Sequence, residues 1–201
     1  MRSAALGMNP HTGWAAAVVV AGAAGDLEVV AKRRIEMAAS FEAAAVYHAS
    51  QGLFLSRAEE VVSSAEERFE RAARVAIAAL AAELRESNLE LVASAVVSGA
   101  ARPLPPLEAI LRSHALVHAA EGELFRRVLA RASEACRIPP VLVPAKEIPS
   151  RAATALGLSR AQLGPRLAAL GKASGKPWAQ DQKDSALAAC IALLGPTPRW
   201  R

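Results

Sequence analysis

The spacing of hydrophobic positions changes along the chain, and the change predicts the elements. Residues 4–8, 13–21 and 27–37 are short apolar runs that predict strands, with Asn9-Pro10-His11-Thr12-Gly13 and Gly22 to Asp26 as turns between them. The middle run, "WAAAVVVA", is apolar throughout, as in a strand buried on both faces. The third, "LEVVAKRRIEM", leads from Val29 and Val30 into a basic edge of Lys32, Arg33 and Arg34, which reads as a solvated edge. Residues 38–56 read as a short helix, or a helix and a strand, and are treated as an insertion.

From Ser56 the period becomes helical. Ser56 and Glu59 have the spacing of a capping box, and Val61, Val62, Ala65, Phe69, Ala73, Ala76, Ile77, Leu80 and Leu84 recur three and four apart. This helix ends near Ser87-Asn88, and "LELVASAVV" (89–97) follows as a fourth strand. After the Pro-rich loop 98–106, a second long helix is predicted from about Leu107 to Cys136, and "VLVP" (141–144) is a short fifth strand. Pro149 to Leu156 and Ser159 to Leu170 predict short helices, the second with a Ser159/Gln162 capping box. "GKASGKPW" reads as a loop, and Asp181 to Leu194 as the last helix. Strands followed by helix–strand–helix–strand–helix imply an α/β layer fold, its fourth and fifth strands parallel through a long crossover.

Composition narrows the function classes. The 201 residues fit one domain, and 53% hydrophobic content is enough for a sizeable core. Aromatics make up only 4%, too few for a base-stacking platform. A formal charge of +5 permits a polyanionic partner, although the basic residues are interspersed with acidic ones. Cys136 and Cys190 read as buried packing thiols of a reducing compartment. The sequence shows neither a signal-peptide pattern nor an apolar run long enough to span a bilayer, so a cytoplasmic location and no membrane partner are expected. Arg199-Trp200-Arg201 reads as a frayed tail.

Three stretches carry a family resemblance. They are "LGMNPHTGWAAAVV", "ERAARVAIAALAAELRESNLELVASAVVSG", and "ASEACRIPPVLVPAKEIPSRAATALGLSRAQLGPRL" with "DQKDSALAACIAL". Their order resembles the ribonuclease-H-like superfamily, and within it the RuvC-type Holliday-junction resolvases, over most of the chain apart from residues 38–56. The resemblance implies three antiparallel strands followed by two parallel ones, in a mixed five-stranded sheet flanked by helices. It also implies phosphodiester cleavage by two divalent cations held by about four carboxylates. Carried over residue by residue, the first acidic position falls on Asn9 and the second on Val97 or Ser98. The terminal acidic pair is present as Asp181 and Asp184, one helical turn apart. With two charges missing, an ordinary two-cation nuclease is disfavoured. His11, Lys172, Lys176 and Lys183 are the accompanying candidates for phosphate binding, and an Asx-type turn is the plainer reading of Asn9-Pro10-His11.

A second constellation lies in "SHALVHAAEGELF". His114, His118 and Glu121 interrupt the apolar stripe of the second long helix at spacings of four and three. Facing Asn9, His11, Asp181 and Asp184 across a cleft, they would make a remodelled His/Glu/Asp metal site suited to zinc, manganese or iron. Otherwise they form a polar seam or a partly exposed helix face. The leading expectation is thus a nucleic-acid-associated protein with a degenerate resolvase-type site. A metal-dependent phosphodiester hydrolase and a non-catalytic interaction protein are the alternatives, which leaves open whether the protein is an enzyme. A divalent cation is the only cofactor considered, and a homodimer the only oligomer.

Overall fold

The computed structural model describes residues 1–99 and 103–195. Its centre is a five-stranded mixed sheet in the order β3-β2-β1-β4-β5. The strands are β1 (Arg2–His11), β2 (Trp14–Ala21), β3 (Glu28–Glu36), β4 (Leu89–Ser98) and β5 (Pro140–Pro144). β1 to β3 pair antiparallel, whereas β4 pairs parallel to both β1 and β5. Every residue of β2 after Trp14 is buried, which explains its unbroken apolar run: helices cover both faces.

On one face, Ala4, Leu6 and Met8 of β1 pack against α3 (Leu55–Glu86) and α5 (His114–Ala135). Phe69 of α3 and Phe125 of α5 meet at 5.2 Å between ring centroids. Glu66 joins the same two helices, accepting two hydrogen bonds from Arg127 (2.7 and 2.9 Å) and one from Arg131 (2.8 Å). On the other face, Val18, Val20, Ala95 and Val97 pack against α6 (Ile148–Leu156), α7 (Arg160–Ser174) and α8 (Gln180–Leu194). Residues 38–56, expected as an insertion, form two single-turn helices, α1 (Phe41–Ala44) and α2 (Val46–Ala49), followed by a turn into α3.

Several local expectations are corrected. β1 continues through Asn9, Pro10 and His11, which pair with Ala16, Ala15 and Trp14, so the turn is only Thr12-Gly13. Pro10 is tolerated because pairing between β1 and β4 has already ended at Met8 and Val96. Gly13 takes φ +85°, and a Cβ there would lie 2.8 Å from Ala44 Cβ of α1. Ser56 does not cap α3: the helix begins at Leu55, and the Ala58 N–H to Phe54 carbonyl bond (3.0 Å) puts Ser56 inside the first turn. The helix predicted from Leu107 is two, α4 (Leu107–Leu111) and α5, because Ser113 turns extended and its hydroxyl accepts from the Leu116 N–H. Residues 171–174, expected as loop, complete α7.

The Ser159/Gln162 capping box forms as expected. Cys190 is buried, and burial pushes its thiol up to about 12. Cys136 is only half-buried, at the C-cap of α5. The Arg199-Trp200-Arg201 segment lies outside the described residues.

Candidate functional site

Gly7 sets the distance between β1 and α8. A Cβ on Gly7 would lie 1.8 Å from the Ser185 carbonyl oxygen, so only glycine lets the helix approach this closely. Ser185 adds a buried hydrogen bond from its hydroxyl to the Ala16 carbonyl (3.0 Å). The first turn of α8 consequently lies over the end of β1, and Asn9, two residues beyond Gly7, points to the same face.

Asn9 Nδ2 donates to Asp181 Oδ1 at 3.1 Å. The Asx-turn reading of Asn9 is thereby corrected: its side chain reaches α8 rather than capping its own turn. His11 Nε2 lies 3.1 Å from Asp181 Oδ2, an ion-pair distance when the ring is protonated, but off the direction of a hydrogen bond. The imidazole stacks on Trp14 (4.2 Å, 7° between planes), and the Arg34 guanidinium covers the other side of that indole at 3.6 Å from the ring centroid. This layer of three side chains holds His11 against Asp181.

Asp184 is half-buried and accepts from Gln180 Nε2 at 2.8 Å. Burial raises its pKa, the Gln180 hydrogen bond opposes the shift, and the nearby Asp181 charge adds to it. Lys183 lies between the two aspartates in sequence, Lys172 in the last turn of α7, and Lys176 in the loop joining α7 to α8. None of the three takes part in an ion pair among the described residues. Lys32 is not free: its ammonium donates to the carbonyls of Ser174 (2.8 Å), Gly175 (2.5 Å) and Pro177 (3.3 Å), anchoring that loop. Arg33 bonds Glu83, and Arg34 bonds Glu36, so the basic strand edge is spent on internal contacts.

Of the two fourth-strand positions left open by the sequence, Val97 shares the α8 face of the sheet with Asn9 and is buried in that core. An apolar side chain therefore occupies the place opposite Asn9. The donor set does not fit a two-cation centre. Asn9 presents an N–H to Asp181 Oδ1, His11 Nε2 stands 3.1 Å from Oδ2, and Val97 offers no ligand atom.

The predicted convergence of His114, His118 and Glu121 with Asp181 and Asp184 is corrected. α5 and α8 lie on opposite faces of the sheet, so the two groups of side chains are separated by it. His114 and His118 are also exposed rather than core-facing; of the three polar residues, only Glu121 is buried, at 3% exposure. Its partner is His48, which sequence reasoning missed. His48 Nδ1 lies 2.9 Å from Glu121 Oε1, and the His48 backbone N–H points at the same oxygen. The available signal was Glu121 itself, since a carboxylate on a buried stripe requires a partner. Trp14 was also missed, although a two-residue turn necessarily places it opposite His11.

No family model matches this chain, and no curated protein does. Among solved structures, the chain is similar to Thermus thermophilus RuvC in complex with a Holliday junction substrate. The TM-score is 0.53 at 12% identity, covering 94% of this chain and 91% of that one. A second Thermus thermophilus RuvC structure gives TM-score 0.53 at 10% identity, covering 94% and 92%. The fold class is therefore ribonuclease-H-like, with the mixed five-stranded sheet of RuvC. At this identity the likeness establishes the fold alone.

Proposed function

We propose that this protein binds branched nucleic acid through a RuvC-like fold whose nuclease site is degenerate. The observation that carries this reading is the Asn9–Asp181 hydrogen bond beside buried Val97, where cation-dependent cleavage would need carboxylates. Binding is supported by the fold shared with a RuvC that was solved on a Holliday junction. It is further supported by the net charge of +5 and by Lys172 and Lys176 ahead of α8 and Lys183 in its first turn. Asp181 here fixes the β1–α8 junction through Asn9 and His11. Among the described residues no helix is long and apolar enough to cross a membrane.

Fluorescence anisotropy with a labelled four-way junction and a matched duplex tests the reading. The expected result is junction binding that weakens linearly in log Kd against log salt, and no cleavage product with Mg2+ or Mn2+. Absence of binding at low salt overturns the binding assignment. Cleavage by the wild-type chain that Asp184→Asn abolishes overturns the degenerate-site assignment.

A further inference from the structure

On the face of the sheet opposite Asp181, the sequence gathers a different set of donors. His114 and His118 are one turn apart at the start of α5, and α2 brings His48 over them. The ring centroids of His48 and His118 are 4.7 Å apart, those of His114 and His118 4.4 Å, and those of His48 and His114 5.5 Å. One ligand nitrogen from each lies within 4.8 Å of the others, and among the described residues this is the one such group of three.

We propose that His48, His114 and His118 form a three-histidine transition-metal site, best matched to Zn2+, with Glu121 as the buried carboxylate that orients His48. The geometry suits the ion. A tetrahedral Zn2+ with Zn–N bonds of about 2.0–2.1 Å holds its ligand nitrogens about 3.3 Å apart. His114 Nε2 and His118 Nε2 are already 3.3 Å apart. Both side chains are on an exposed helix face, and the same nitrogens that are within hydrogen-bond reach of each other would be the metal ligands.

Glu121 supplies the second half of the argument. Its carboxylate accepts from His48 Nδ1–H, which fixes the tautomer and leaves the Nε2 lone pair for a metal. This is the carboxylate–histidine pairing that supports metal-bound imidazole in general. His48 is held from other directions too. Its neighbours Val46 and Tyr47 are buried, and Gln51 Nε2 donates to the Leu111 carbonyl (3.0 Å) just before α5 begins. Three neutral nitrogen donors favour Zn2+, Co2+ or Ni2+ over Mg2+ and Ca2+. The exposure of His114 and His118 leaves the fourth coordination position open to water.

The test uses the full chain without an affinity tag, stripped of metal by chelation and then titrated with Zn2+ by calorimetry and with Co2+ by visible spectroscopy. One Zn2+ per chain, a rise in Tm with Zn2+, and the d–d bands of tetrahedral Co2+ are expected. Millimolar Mg2+ should neither produce these effects nor compete with Zn2+. His114→Ala and His118→Ala alter exposed positions and keep the far-ultraviolet spectrum and metal-free Tm, yet each should weaken Zn2+ binding about 100-fold or more. Glu121→Gln should weaken it about 10- to 100-fold while leaving the stoichiometry intact. Asp181→Asn, across the sheet, should bind Zn2+ as the wild type does. The proposal is overturned if the wild type binds no stoichiometric Zn2+, if His118→Ala binds as tightly as wild type, or if Asp181→Asn removes the site. Junction binding is measured separately, so either assignment can fail without the other.

Discussion

Asn9 and Asp181 join the end of β1 to the first turn of α8 through a neutral amide donor 3.1 Å from a carboxylate oxygen. A carboxamide and a carboxylate are nearly isosteric, so one can replace the other at this position with little change of shape, while only the carboxylate brings the charge a divalent cation favours.

Asn9→Asp therefore adds a charge with almost no change of volume. In EDTA the second carboxylate repels Asp181, and about 1 kcal/mol of stability should be lost, lowering Tm by about 2–4 °C. Adding Mg2+ or Mn2+ should return Tm to the wild-type value or above it, because the cation binds only the folded arrangement. Calorimetry in EDTA and in each metal measures both effects. A variant whose Tm ignores both metals would show that the junction no longer has a cation-binding shape.

Asp184 gives a pH-dependent prediction of opposite sign to that of an ordinary paired carboxylate. Burial raises its pKa in the folded state, so the folded chain binds this proton more tightly than the unfolded chain. Its contribution to stability falls as pH rises from the unfolded to the folded pKa, and the cost remains at neutral pH. Asp184→Asn should accordingly raise the denaturation midpoint at pH 7, and the gain should vanish in acid below the unfolded pKa. Urea midpoints across pH test this directly. A midpoint lowered at pH 7 would instead make the charge a net stabiliser.

Gly7→Ala probes the approach that builds the site. Its Cβ would meet backbone atoms at 1.8 Å (Ser185 O) and 2.7 Å (Ala189 N), and backbone cannot rotate away as a side-chain tip can. A loss of about 3 kcal/mol or more is expected, at or beyond the upper end of ordinary overpacking. Gly25→Ala, where a Cβ meets nothing within 4 Å, should change stability by less than about 0.5 kcal/mol. Chemical denaturation of the two variants separates steric exclusion from a general penalty on adding a methyl group.

The parts legible in the sequence are those where burial imposes a long, regular pattern. The run Trp14–Ala21 could be read because both faces of β2 are covered, and α3 because Phe69, Ala73, Ile77, Leu80 and Leu84 repeat over many turns. Pro10 disguised the end of β1 as a turn, since nothing in the sequence says that the β4 ladder stops at Met8. The break at Ser113 was hidden because apolar residues on both sides continue nearly in phase. Glu121 was recognisable as a polar residue on a buried stripe. His48 was not its visible partner, because α1 and α2 are single turns, too short for a period to show which way a side chain points. Reading His114 and His118 as core-facing followed from the same stripe; in the structure Val117, Ala120 and Glu121 take the inward face of those turns, and the two histidines lie on the exposed one.

Glu66 provides the last prediction. Its carboxyl is held below the usual carboxylate range, chiefly by hydrogen bonds from Arg127, with the charges of Arg127 and Arg131 adding to the effect and burial opposing it. Because the folded pKa is depressed, the stabilisation is fully present above the unfolded pKa near about 4.3 and is lost as pH falls through the folded value. Glu66→Gln should thus cost about 1–2 kcal/mol at pH 7, since it weakens the pairing and leaves Arg127 half-buried without its counterion. On acidification the wild type loses the same charge, and the gap between the two proteins should close. Urea midpoints at pH 7 and in acid measure it. A gap that stays constant with pH would assign the cost to packing between α3 and α5 rather than to the ion pair.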